Sequence, residues 1–153
     1  MMAVVLALML ASGCAADFGT VVNVGPSAER HVEKIAEAVD EMNGLLGHEV
    51  FSVRMVDSDE MVDGQVIVRH QVGAFRVNAL ARTHLTRRGI AIYVRDVCDA
   101  RCVLHELGHA GGLVKHSKDP KNTMFPAARG AAYLTERQIS RVLVLADWKV
   151  ESD

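Results

Sequence analysis

The stretch His105–Pro126, HELGHAGGLVKHSKDPKNTMFP, governs how the rest of the chain is read. Its first five residues, HELGH, set His105 and His109 four positions apart. On a helix, positions i and i+4 share a face, so both imidazoles point to the same side. Two neutral rings so placed can hold one metal ion, zinc being the usual choice for such nitrogen donors. Glu106 projects from the next position round the helix. Its carboxylate can reach a water held by that ion, which is the pairing of two ligands with one base. Taken alone, HELGH could also be a polar helix face with two ordinary histidines, and the residues after it narrow the choice.

Gly112 stands seven residues after His105, His116 follows with Ser117 next to it, and Met124 lies in the short turn Asn122-Thr123-Met124-Phe125-Pro126. Together these resemble the metzincin pattern, HExxHxxGxxH followed by a Met-turn. Within that clan the stretch is most similar to the matrixins, which carry Ser directly after the third histidine and a Met eight residues beyond it. Here Ser117 and Met124 fill those places, and Phe125 and Pro126 match the aromatic and proline that follow. The resemblance is close over residues 99–145 and looser before them. One departure stands out. The link from Gly112 to the third histidine holds one extra residue, because the pattern's third position falls on Lys115. An ammonium offers no lone pair at neutral pH, so Lys115 is a poor ligand. The register downstream is intact when counted from His116, and the Gly111-Gly112 pair has the backbone freedom to absorb the insertion. His116 is therefore assigned as third ligand, with Asp119 as the alternative donor.

The resemblance implies an α+β fold, a metzincin-type zincin catalytic domain. Its expected parts are a mostly five-stranded twisted sheet, two main helices and a short C-terminal helical subdomain. It implies a zinc metalloendopeptidase with one catalytic Zn2+ on His105, His109 and His116, Glu106 as general base, and Met124 as a hydrophobic floor beneath the metal. It also implies a protein or peptide substrate adding as a strand along the fourth strand, about residues 75–83, at the sheet edge above the cleft. Residues 126–132 would form the outer wall of the pocket for the residue after the cleaved bond. Two other readings remain: a zinc-binding but proteolytically inactive envelope lipoprotein, and a structural envelope protein whose histidines hold nothing. With no Cys in a prodomain position, latency through a thiolate on the metal is not expected.

At 153 residues the chain makes one domain, and half of its residues are apolar, enough for a core. A net charge of −2 with no basic run excludes a nucleic-acid partner. Residues 1–13 read as a signal peptide, with Met1–Ser12 almost wholly apolar but too short to span a bilayer as a mature helix. Ala11-Ser12-Gly13-Cys14 resembles a bacterial lipobox. Cys14 would then be lipidated and start the mature domain, residues 14–153, and ordinary cleavage after Ala16 is the alternative. With either cleavage an exported protein is expected, an envelope lipoprotein on an N-terminal membrane anchor or a secreted one, and a monomer; a plain buried N-terminal strand is the remaining reading of the stretch. Cys98 and Cys102 remain as a pair placed for a disulfide, two free thiols being the alternative.

In chain order, 17–25 reads as a strand and Ser27 as the N-cap of a helix with an apolar stripe of Val32, Ile35, Ala36, Val39 and Met42, stopped by Asn43-Gly44. His31 lies off that stripe and reads as solvated. Strands follow at 49–56, 65–71, 75–83 and 90–94, the last an apolar run suited to burial on both faces. Asp57, Asp59, Glu60 and Asp63 form an acidic turn before Gly64. Matrixins often hold structural calcium, but this spacing matches no calcium loop, so a solvated turn is expected. His70 and His84 invite comparison with a structural zinc of some matrixins. The other ligands of that site are missing, so both read as surface residues. Asp99 is placed to cap the helix that carries HELGH, and Gly108 within it costs about 1 kcal/mol relative to Ala unless a neighbour packs closely there. Thr135-Glu136-Arg137-Gln138 is a capping box that opens a last helix. Ile139, Val142, Leu143 and Leu145 of that helix would pack on the domain, with Trp148 closing the core.

Overall fold

The structure, a computed structural model, describes residues 20–61, 64–73, 75, 79–127 and 132–150, without the side chains of 145–150. The signal-peptide stretch, Cys14, Asp63, residues 76–78 and 128–131 of the expected edge strand and pocket wall, and the side chains of Leu145 and Trp148 lie outside the described residues. The fold is α+β, with a five-stranded mixed sheet and three helices. The elements are β1 (Thr20–Val24), α1 (Val32–Leu46), β2 (Phe51–Met55), β3 (Gln65–His70), β4 (Ala81–Leu85), β5 (Gly89–Val94), α2 (Ala100–Ala110) and α3 (Glu136–Val150). The sheet order is β2-β1-β3-β5-β4. The first four of these strands run parallel, and only β4 is antiparallel, pairing Ala81 with Val94 and Thr83 with Ile92. Among the described residues no helix is long and apolar enough to cross a membrane.

Strand alternation explains the core. Val22, Val24, Val66, Val68, Ile92 and Val94 turn one sheet face onto Ile35, Met42, Leu104 and Leu107 of α1 and α2, all of them essentially without exposure. The opposite face carries Asn23, Gln65 and Ile67, which help to line a surface cleft of about 550 Å³ under residues 56–61.

Four expectations are corrected. Ser27 does not cap a helix: Pro26–His31 is a 3-10 turn, and α1 begins only at Val32. The Ser27 hydroxyl donates to Asp59 Oδ1 (2.9 Å) and accepts from the His70 backbone N–H (3.1 Å). Asp59 is thus a partner of that turn rather than a solvated acid. Next, α1 runs past Asn43-Gly44 and ends at Gly47, whose φ of 68° is the left-handed stop that glycine favours. Asn43 instead reaches across to β2, accepting from Val50 and Phe51 N–H and donating to Phe51 O. Third, among the described residues the edge strand lies at Ala81–Leu85, overlapping the end of the expected span 75–83 and running two residues past it. Its register is set by long-range pairing with β5, beginning where Arg95 N–H reaches Leu80 O. Fourth, His31 is not solvated: it is 2 % exposed, and His70 is its partner rather than a free surface residue. A turn of 3.0 residues per repeat places position 31 differently from an α-helix, and so the ring faces in. His84 is exposed, its ring edge-on to Tyr93.

Candidate metal centre

Helix α2 is fixed at both ends. Asp99 caps its start, its Oδ1 accepting from Cys102 N–H at 2.9 Å, and a disulfide joins Cys98 to Cys102 across the same turn. At its end Gly112 takes a φ of 90°, allowing its N–H to reach His109 O while Leu113 N–H reaches Gly108 O. Gly111 has an ordinary φ; its role is close packing, since a Cβ there would meet Val142 Cγ1 at 3.1 Å. Only one glycine of the pair therefore supplies the turn.

The chain then swings back and brings His116 to the two helix histidines. One ring nitrogen from each of His105, His109 and His116 lies within 4.8 Å of the other two, and His109 Nε2 is 3.2 Å from His116 Nε2. The ring centroids are 4.8 Å apart for His105 and His109, and 5.1 Å for each of the other two pairs. Lys115 is exposed, and Asp119 is engaged elsewhere, its Oδ1 accepting from Lys121 N–H.

Backbone carbonyls set the tautomers. His105 Nδ1 is 2.9 Å from Thr123 O, and His109 Nδ1 is 2.7 Å from Leu113 O. A carbonyl only accepts, so each Nδ1 carries the hydrogen and each Nε2 keeps its lone pair. Burial holds the His105 imidazole below its usual pKa; the Thr123 carbonyl and Glu106 oppose that shift, and the neighbouring rings of His109 and His116 add to it. His105 is therefore neutral near pH 7. Two lone-pair nitrogens aimed inward, with a third ring completing the triangle, form a donor set that could hold a metal ion and fits zinc chemistry.

Glu106 is buried beside this group at 7 % exposure. The Thr83 hydroxyl of β4 donates to Glu106 Oε2 at 2.6 Å and also lies 3.2 Å from the Glu106 backbone oxygen. Thr83 escaped the sequence reading because it lies 23 residues before Glu106 and belongs to no local motif.

The turn beneath the histidines is built on buried Asn122. Its Oδ1 accepts from Met124 N–H (2.9 Å), and its Nδ2 donates to Gln138 Oε1 (2.8 Å). Thr123 N–H reaches Tyr133 O, and Ser117 N–H reaches Met124 O. Met124 is wholly buried against α2, and a Cβ on Gly108 would lie 2.3 Å from its sulfur. That contact accounts for a glycine in a helix interior. Thr135 and Gln138 form the reciprocal cap at the start of α3, where Val142 is buried and Ile139 and Leu143 pack on the core. Beside His116, residues Leu113, Val114, Ser117, Thr135 and Arg141 line a cleft of about 470 Å³. Compared with known proteins, this chain matches no family model and no curated relative.

Proposed function

We propose that the chain is a zinc metalloendopeptidase of metzincin type, most similar to the matrixins. The observation that carries the reading is the convergence of His105, His109 and His116, from one helix and the bend after it, with Glu106 buried beside them. Zinc on such a donor set supplies Lewis acidity, polarising a carbonyl and bringing the pKa of coordinated water to about 7. The rest of the chemistry belongs to the chain. His105 and His109 are held in one tautomer by the Thr123 and Leu113 carbonyls. Glu106, anchored through Oε2 by Thr83, keeps its other oxygen to take the proton of the attacking water. It then delivers that proton to the amine nitrogen as the peptide C–N bond breaks. Met124 closes the site from below and carries no ligand role. An unfolded protein or peptide would lie along β4, the last strand in the sheet order, extending it by backbone hydrogen bonds. The Cys98–Cys102 disulfide suits an exported protein in an oxidising compartment, a secreted chain or an envelope lipoprotein anchored through Cys14. Calcium has no part in this reading.

The test is metal content together with cleavage of an unfolded protein, before and after chelation. Stoichiometric zinc, hydrolysis lost to chelator and recovery on adding zinc back are expected. Zinc without hydrolysis would favour the inactive metal-binding lipoprotein, and absence of stoichiometric zinc would remove both readings.

Thr83→Val keeps the shape of the side chain and deletes the hydroxyl. Outer partners of a metal site commonly carry 10–100-fold effects, so kcat is expected to fall about tenfold with KM and zinc content unchanged. An unaltered kcat would mean that the hydroxyl does not orient Glu106.

A further inference from the structure

We infer that His31, His70 and Asp96 form a second divalent-metal site, of zinc class, built from none of the residues of the first. The three come together for topological reasons. His31 is the last residue of the 3-10 turn, with its ring turned inward at 2 % exposure. His70 ends β3, and its parallel neighbour β5 ends at Val94, directly beside it. Asp96 follows two residues later, on the connection that leads to Cys98 and α2. His70 is steadied from behind, its backbone N–H on Ser27 Oγ.

The geometry is that of three donors round one point. His31 Nε2 and His70 Nδ1 are 3.0 Å apart, and Asp96 Oδ1 lies 3.8 Å from the first and 3.9 Å from the second. A circle through those three atoms has a radius of about 2.1 Å, which falls within the zinc–imidazole and zinc–carboxylate bond lengths of about 2.0–2.2 Å. A hydrogen bond between the two rings would account for the shortest side alone. It would not call the same carboxylate oxygen to within 4 Å of both nitrogens.

Two cations stand close by. Arg30 Nη1 touches Asp96 Oδ1 at 3.4 Å from the solvent side, a long and exposed pairing. Lys34 Nζ is directed at the backbone oxygens of Asp96 and Cys98. Two imidazoles with one carboxylate select a borderline ion such as Zn2+ over Ca2+ or Mg2+, which prefer all-oxygen shells. Asp96 is 63 % exposed, so the fourth position faces solvent. An ion there would tie the 3-10 turn, the end of β3 and the approach to α2 into one knot. Its role is to brace the start of the helix that carries His105 and His109.

The experiment is titration of the full chain with Zn2+ against a chromophoric chelator, repeated with Co2+ to read the ligand-field bands. Hydrolysis is not measured, so the outcome does not depend on the proposed activity. The wild type is expected to bind two equivalents. Asp96→Asn, at an exposed position, should stay folded by circular dichroism and bind one equivalent unchanged and the other at least about tenfold more weakly, in the range of lost ligand interactions. His70→Ala should behave alike, and His109→Ala/His116→Ala should keep one equivalent, with the bands of the His31 site. Should His70→Ala fail to fold, Asp96→Asn decides. A wild type that binds one equivalent, lost in His109→Ala/His116→Ala, overturns the proposal. Two equivalents at wild-type affinity in Asp96→Asn overturn it as well.

Discussion

Replacing Glu106 with alanine is expected to abolish most turnover while leaving zinc at the His105–His109–His116 site undiminished. The carboxylate is not among the three converging donors, so its loss removes no ligand. It is, however, the buried acid beside them, and general acid–base catalysis is worth roughly 10²–10⁴-fold in rate. The fold should tolerate the change. Thr83 Oγ1 loses its 2.6 Å partner, but still has the Glu106 backbone oxygen at 3.2 Å as acceptor. Glu106→Gln sharpens the comparison. It preserves volume and an oxygen for Thr83, yet cannot carry a proton between water and amine. Both variants should therefore be inactive to a similar degree and retain metal by atomic absorption. Turnover within a few-fold of wild type in either would remove Glu106 from the role of base.

A second large effect is expected at Gly108, and its sign opposes the general rule. Gly→Ala inside a helix ordinarily stabilises by about 1 kcal/mol. Here the added Cβ would stand 2.3 Å from Met124 Sδ and 3.2 Å from its Cε. Met124 has no exposed surface, so its sulfur cannot move without displacing what surrounds it. Overpacking of this kind typically costs 1–3 kcal/mol, and a net destabilisation of about 1–2 kcal/mol is predicted from urea unfolding. Zinc affinity should drop too, because Met124 adjoins Thr123, whose carbonyl orients His105. A double-mutant cycle isolates the cause. In a Met124→Ala background, Gly108→Ala should turn neutral or stabilising. Equal or greater stability of the single variant Gly108→Ala would mean that the contact with Met124 is not what demands glycine.

Much of the molecule could be read locally. The i, i+4 spacing of His105 and His109, the cap at Asp99 and the reciprocal pair Thr135 and Gln138 each depend on residues within one or two turns of each other. Local chemistry therefore foretells them. Short runs of strand-forming residues likewise marked β1, β2 and β3, and a continuous apolar run marked β5. What went astray depended on distant partners or on a change of helical period. Ser27 looks like an N-cap until Asp59, 32 residues on, takes its hydroxyl. His31 falls off an α-helical stripe counted through residue 27, but the segment winds as a 3-10 turn and carries the ring inside. Asn43-Gly44 has the composition of a stop, yet Leu46 still finds the core, so burial extends the helix to Gly47. The edge strand is placed by pairing with β5, which no alternation pattern within 75–83 encodes.

The link from Gln138 through Asn122 to the turn that aligns His105 has a bearing on biogenesis. α2 can wind as soon as its own residues emerge, but the carbonyl that aims its first histidine is positioned by a loop pinned to α3. On the proposed reading, ion capture would wait for the C-terminal segment to dock. A chain on which α3 has not docked would therefore hold its three histidines unassembled, and on the proposed reading it would be inactive until that helix is in place.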